Sequence, residues 1–274
     1  MPAYLDTIIA AHRAQAAADH RDVDELVHRA EATPAPRDFA GALRAAAGTG
    51  LAVIAEVKRR SPSKGDLDPG LDPAVVAAEY EAGGASCLSV LTDAAFFGGS
   101  PEDLRAARGA GSLPVLRKDF TVSRADVCDA RLMGADAVLL IVAALGDPEL
   151  VELLALAHQL LLTPLVEVHD ADELARALDA GASVVGVNQR NLKTFEVDHD
   201  LAVALVATIP EGVVSVAESG IRHAEDAARL TAAGYHAVLV GETLVRSGDR
   251  RGAVADLVRA GSTARAHRVI GAGS

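Results

Sequence analysis

Four times along this chain a glycine is followed by a short apolar run, in GGASCLSVL, MGADAVLLI, AGASVVGVN and AGYHAVLVG, and this repeat restricts the fold more than any other feature. Gly84, Gly134, Gly181 and Gly234 can take the left-handed backbone that ends a helix, and the β-branched or Leu-rich run after each suits a strand covered on both faces. Such helix-to-strand joints belong to parallel sheets. LAVIAEV (51–57), LPVLRK (113–118), TPLVEVH (163–169) and VVSVAES (213–219) bring the strand candidates to eight, with room in every interval for one crossover helix. The intervening stretches, PAVVAAEYEAG and DADELARALDAG among them, read as helices, several opening on Asp, Ser or Pro. Eight alternations predict an α/β chain closed into a (β/α)8 TIM barrel. A doubly wound open sheet usually has fewer strands and a glycine fingerprint after the first, which this sequence lacks.

Residues 1–50 carry no strand signal. Ile8, Ile9, the Ala-rich stretch after them and DVDELVHRAE predict an N-terminal helical extension lying over one barrel end, ahead of a barrel spanning 51–274. A last helix follows from about residue 247. No linker is long enough for a second domain, so 1–274 is expected to be a single domain, in keeping with the roughly 250 residues such barrels use.

A formal charge of −12 argues against a nucleic-acid surface, because phosphate backbones are held by neutralising Lys and Arg. No apolar run approaches the ~18 residues of a membrane span, and MPAYLDTIIAAHRAQ lacks the basic-then-apolar order of a secretory signal. A cytoplasmic protein that binds no membrane is expected. Cys87 and Cys128 form no CxxC and are expected to be reduced packing residues.

In barrels of this kind the C-terminal strand ends and the loops beyond them form the active site. Here most strands end in polar groups: Glu56 and Lys58, then Asp93, Lys118 with Asp119, Glu167, Asn188 and Arg190, Glu218 and Ser219, and finally Gly241 and Glu242. Side chains alternate along a strand, so Glu56 shares a face with Lys58 and Asn188 with Arg190. Burying Lys118 after PVLR and Glu167 inside LVEVH requires partners or a wet pocket, since an unpaired buried charge costs several kcal/mol. A pocket holding both signs meets that need and brings together groups suited to acid–base work.

ESG after the seventh strand and VGET after the eighth sit where barrels often hold a phosphate, and Gly220 and Gly241 let backbone N–H groups approach it closely. The loop KRRSPSKGDLDPGLDP reads as a binding loop or lid in which Ser61, Ser63 and Lys64 add phosphate contacts. No metal site is expected: there is no HExxH, and His169, which follows a catalytic strand end, is expected to face away from Glu167. Without a GxSxG elbow or a cysteine at a strand end, acid–base chemistry remains.

IAEVKRRSPSKG, SVLTDAAFFGGSPEDL, PVLRKDF, GADAVLLI, LVEVHD, GVNQRNLKTFEVD, VAESGI and AVLVGETL, running from about residue 50 to 246, resemble the indole-3-glycerol-phosphate synthase family in order and spacing. The resemblance implies closure of an indole ring from 1-(2-carboxyphenylamino)-1-deoxyribulose 5-phosphate, with decarboxylation and dehydration and no metal or organic cofactor. It further implies Lys118 as general acid, Glu167 as acid–base carboxylate, Lys58 as a substrate-contacting lysine with an acid role in dehydration, and Glu56 as its partner carboxylate and a base. Asn188, Arg190, Glu218 and Ser219 fall to substrate binding, and Ser61, Gly220, Gly241 and Glu242 to the phosphate. Its partners would be that phosphorylated small molecule and other enzymes of tryptophan biosynthesis. Ser123 and Ala125 replace a common Asp and Tyr, Gln189 a frequent Asn or Ala, Phe195 a frequent Leu, and Glu242 a Ser of some members. The rival expectations are another phosphate-binding barrel enzyme, either a sugar-phosphate isomerase or a Schiff-base aldolase, and a non-catalytic phosphate-ligand sensor.

Overall fold

A computed structural model describes residues 4–61, 64–190 and 196–272, the stretch 268–272 as helical backbone. Eight parallel strands close a barrel: β1 (Ala52–Val57), β2 (Cys87–Leu91), β3 (Val115–Lys118), β4 (Ala137–Ile141), β5 (Thr163–Val168), β6 (Val184–Asn188), β7 (Val214–Glu218) and β8 (Ala237–Val240). Closure is made by β1, which pairs with β8 through Ala52↔Ala237 and with β2 through Ile54↔Cys87. Almost every strand residue is buried, as the unbroken apolar runs require when helices cover the outside and side chains fill the inside.

The four glycine joints behave as predicted. Gly84, Gly134, Gly181 and Gly234 have φ of 92°, 93°, 91° and 119°, a region costly for residues with a Cβ, and each turns a helix end into the next strand. Helix starts are held by side-chain caps at Asp72, Ser100, Ser123, Asp170 and Asp198.

The N-terminal extension forms α1 (Tyr4–Ala18), α2 (Val23–Glu31) and α3 (Phe39–Thr49). Sequence reading put them over one end of the barrel; they serve both. The buried face of α3 (Phe39, Leu43, Ala47) packs at the strand starts, where the Cys87 thiol reaches the Phe39 carbonyl oxygen at 3.8 Å. The catalytic end belongs to α1. Its Arg13 guanidinium donates two 2.8 Å bonds to Glu149, and the linker beyond it is tied by Arg21 to Asp129. Both cysteines are buried and free, with thiol pKa values raised by burial. Within the basic loop after β1, Arg60–Ser61 pairs antiparallel with Gly65–Asp66, a small hairpin that Gly65 permits by turning at φ 66°. Ser63 and Phe195 lie outside the described residues. Among the described residues, no helix is long and apolar enough to cross a membrane.

Candidate active site

Strand register assembles the floor of the site. Asn188 on β6 stands directly beside Glu218 on β7, while Glu167 is the second-last residue of β5 and Lys118 the last of β3. Lys118 Nζ donates to Glu167 Oε2 at 2.7 Å and to Glu218 Oε2 at 3.0 Å. Asn188 Nδ2 donates to Glu167 Oε1 at 3.1 Å, and Asn188 Oδ1 in turn accepts from Ser219 Oγ at 2.8 Å and from the Arg190 backbone N–H at 3.1 Å. Gly186 makes this floor possible, because a Cβ there would strike the Glu218 carboxylate.

The electrostatics of the three charged groups diverge. Burial disfavours the Lys118 ammonium, but Glu167, Glu218 and Glu56 outweigh it and raise its pKa above the ordinary lysine value. Burial likewise pushes the Glu167 carboxyl up, yet Lys118 and His169 hold it well below the usual carboxylate range. Glu218 has less help. Burial dominates there, and despite Lys118 its pKa is pushed up to about 7. Glu218 Oε1 is buried without a hydrogen-bond partner among the described residues.

On the β1 side Lys58, one residue past the strand, forms an ion pair with Glu56 within it, as alternation predicted. Gly241 closes over that pair; an added Cβ would run into the Glu56 carboxylate and come within 3.1 Å of Lys58 Nζ. Beyond β7 the chain turns sharply through two successive left-handed residues, Ser219 at φ 66° and Gly220 at φ 73°. Gln189 braces that turn by donating to the Ser219 carbonyl oxygen at 2.9 Å, which gives this departure from the family pattern a local function. Glu242 begins the short helix Glu242–Val245 that Gly241 caps, its carboxylate 3.7 Å from Arg246. Ser61 Oγ is buried and has no hydrogen-bond partner among the described residues, so it remains available to a ligand.

A cavity of about 1010 Å³ is lined by each of the twelve residues to which the family resemblance gave a role, and by Lys64. The mouth also carries residues that the sequence left unassigned. From α1 come Leu5, Ile8 and a latch, His12 Nε2 bonded to Asp93 Oδ2 at 3.0 Å and 3.9 Å from Asp119 Oδ1. His12, Asp93 and Asp119 stand close enough to hold a metal ion. Their oxygens are already engaged, however: Asp93 accepts from the Phe96 and Phe97 N–H groups, and Asp119 from Thr92, Arg117 and the Phe120 N–H. The cluster therefore fits a hydrogen-bonded latch. Phe97 and Phe120 form a tilted pair 6.3 Å apart on the cavity wall, a surface for a flat apolar group; both lie inside sequence motifs already quoted, AAFFGG and RKDF.

One orientation is corrected. His169 does not face away from Glu167: its Nε2 lies 3.4 Å from Glu167 Oε1. Residues two apart share a strand face, and the side chain keeps that parity one step past the end of β5, so the alternation rule itself held the signal. Ser123 and Ala125 prove locally satisfied, Ser123 as the cap and capping box of helix Arg124–Leu132 and Ala125 buried in it.

A closed barrel whose catalytic end joins Lys58 and Lys118 with Glu56, Glu167, Glu218 and a glycine-lined rim in one cavity defines an acid–base (β/α)8-barrel enzyme for an anionic small molecule. The family model for indole-3-glycerol phosphate synthase matches residues 5–257. Indole-3-glycerol phosphate synthases of Mycolicibacterium gilvum and Kineococcus radiotolerans are 52% and 54% identical to this chain, covering 94% of it and 94% and 96% of their own lengths. That of Beutenbergia cavernae is 58% identical over 77% of this chain and 78% of its own. The chain belongs to the indole-3-glycerol phosphate synthase family. Among solved structures, a thiamine phosphate pyrophosphorylase from Pyrococcus furiosus superposes with a TM-score of 0.60 at 16% identity, over 80% of this chain and 98% of that one, a likeness of fold alone.

Proposed function

We propose that the chain converts 1-(2-carboxyphenylamino)-1-deoxyribulose 5-phosphate to indole-3-glycerol phosphate, working in the cytoplasm as a one-domain enzyme beside other enzymes of tryptophan biosynthesis. The aromatic carbon bearing the carboxylate is a weak nucleophile, so the ketone it attacks has to be polarised by a cation aimed at its oxygen. Lys118 is that cation: its ammonium delivers a proton to the oxygen as the new carbon–carbon bond forms. Loss of carbon dioxide returns the electron pair of the carboxylate bond to the ring. Dehydration then removes the former ketone oxygen as water, with Lys58 as acid, while Glu56 or Glu167 takes the adjacent carbon-bound proton to complete the indole.

Ser61 and the backbone N–H groups at Gly220, Gly241 and Glu242 hold the phosphate. Asn188, Arg190, Glu218 and Ser219 orient the other end, so that binding fixes the attack distance.

The observation that carries this reading is Lys118 Nζ held at 2.7 and 3.0 Å by two carboxylates on the floor of a cavity whose far rim is Gly220 and Gly241. The same observation weighs against a Schiff-base aldolase, whose lysine must become a neutral amine, whereas these carboxylates favour the ammonium. The test is to add the anilino-deoxyribulose phosphate and follow indole fluorescence, to which a chain with no tryptophan contributes no indole emission of its own. Turnover that disappears in Lys118→Met is expected. No indole product, or covalent trapping by borohydride with a carbonyl substrate, would overturn the reading.

A further inference from the structure

We propose that His169, anchored by Glu173, is a positioning residue for the reaction: it holds the Glu167 carboxylate from behind and keeps it an anion facing Lys118. The inference rests on the role given to Glu167 above.

Its geometry begins one residue past β5. Helix Ala171–Asp179 starts at once, capped by Asp170, which accepts from the Glu173 N–H at 2.8 Å. That cap turns the Glu173 side chain back toward the strand. There its Oε2 meets both the His169 backbone N–H, at 2.8 Å, and the ring Nδ1, at 3.0 Å. With Nδ1 pinned, Nε2 is directed at Glu167 Oε1, 3.4 Å away. This second contact is electrostatic, since Nε2 is buried and makes no hydrogen bond among the described residues.

A ring with a carboxylate at each nitrogen decides its own protonation. Either neutral tautomer turns a lone pair toward one of the two anions, and only the imidazolium presents a proton to both. Burial opposes the charge, but Glu167 and Glu173, the charged groups that act on the ring, overcome it and raise its pKa to about 10. Glu167 consequently lies between two cations, Lys118 from β3 and His169 behind it. Its remaining polar neighbours are Asn188 from β6 and, across the ammonium, Glu218 from β7.

The second cation matters at the moment of proton transfer. When Lys118 gives its proton to the ketone oxygen it becomes neutral, leaving Glu167 and Glu218 together in a buried corner. A positive charge retained at His169 stabilises the Glu167 carboxylate through that step, so the carboxylate need not take back the proton that the substrate requires.

The experiment compares His169→Ala, His169→Gln and Glu173→Gln in the parent and in Glu167→Gln, reading kcat, KM, the pH profile, thermal unfolding and the ring 15N shifts of His169. In the unaltered protein at pH 8 the ring is expected to show the imidazolium signature. His169→Ala should lower kcat roughly 10- to 100-fold, the scale on which a misplaced catalytic group is felt, with KM little changed. Removing the cation raises the pKa of Glu167, so the acid limb of kcat/KM should move to higher pH. His169→Gln restores a donor without the charge; it should recover part of kcat and keep the displaced limb. Glu173→Gln should follow in the same direction. On the residual turnover of Glu167→Gln, His169→Ala should add little. A neutral ring at pH 8, a folded His169→Ala with the parent's kcat and profile, or an equal loss in the Glu167→Gln background would overturn the inference. Should His169→Ala fail to fold, the ring shifts of the unaltered protein and the His169→Gln profile decide. Near-normal turnover of Glu167→Gln removes the role of Glu167 and this inference with it; an inactive Glu167→Gln beside an unaffected His169→Ala overturns the inference alone.

Discussion

Lys118 and Lys58 stand two strands apart at one barrel mouth, yet they are held by opposite means. The partners of Lys118 lie 49 and 100 positions along the chain and meet it only because the barrel closes. Lys58 is paired two residues away on its own strand end, beside a loop whose front forms a small hairpin. A cation fixed from three strands cannot shift without disturbing all of them, which suits the group that must meet a forming oxyanion at one place. A locally paired lysine depends on its strand and loop alone, which suits a group acting after the ring has closed and the substrate has changed shape.

The comparison can be broken by substitution. Lys118→Met is expected to cost the most, about 10³-fold or more in kcat, because it removes the proton donor and leaves two buried carboxylates without their cation. Lys58→Met should cost about tenfold to a hundredfold and leave carbon–carbon bond formation detectable by single-turnover release of carbon dioxide. If the two losses are equal and both abolish that release, the two-station division is wrong.

Gly241→Ala probes the Lys58 side without removing a charged residue. The added methyl collides with Glu56 and crowds the rim, so KM for the phosphorylated substrate should rise about tenfold in steady-state assays. An unchanged KM would remove Gly241 from the phosphate site.

Stability against pH sharpens the Lys118 side of the comparison, where two groups titrate in opposite senses. The depressed pKa of Glu167 gives stabilisation that is present above its ordinary value of 4.5 and lost as pH falls through its folded value. His169 behaves in the opposite sense: its contribution is complete below about 6.5 and lost as pH rises toward about 10. Unfolding temperatures should therefore decline at both ends of the range, and His169→Gln should flatten the alkaline side. The smallest expected effect is that of His12→Ala, which removes the hydrogen bond holding α1 to Asp93 and should cost about 1 kcal/mol in denaturant unfolding. Because the pKa of His12 is raised, that contribution is complete below its ordinary 6.5 and is lost as pH rises through the folded value, so wild type and variant should draw together in alkaline buffer.

Much of the molecule was legible before folding, and the reasons are local. Glycine followed by an apolar run marked every left-handed helix end it named, because a residue without a Cβ is the one that adopts that backbone freely. Glu56 with Lys58 followed from alternation along a single strand. His169 obeys the same rule: two residues beyond Glu167 in TPLVEVH, it shares the face of that carboxylate, and parity turns it toward Glu167 and not away. His12 left no comparable signal, since nothing in an Ala-rich helical stretch tells which strand ends it will cover.

The division follows the range of the forces. Periodicity, capping and turn conformation act over a few residues, and from them the linear chain determined the eight strands, their covering helices and the end at which charges would collect. Which carboxylates would hold Lys118, that α1 would latch the mouth while α3 packs beneath the barrel, and that an imidazole would stand behind Glu167 were decided by closure and register. Those contacts join positions far apart in the chain, and their energies exist only once the barrel has excluded water from between them.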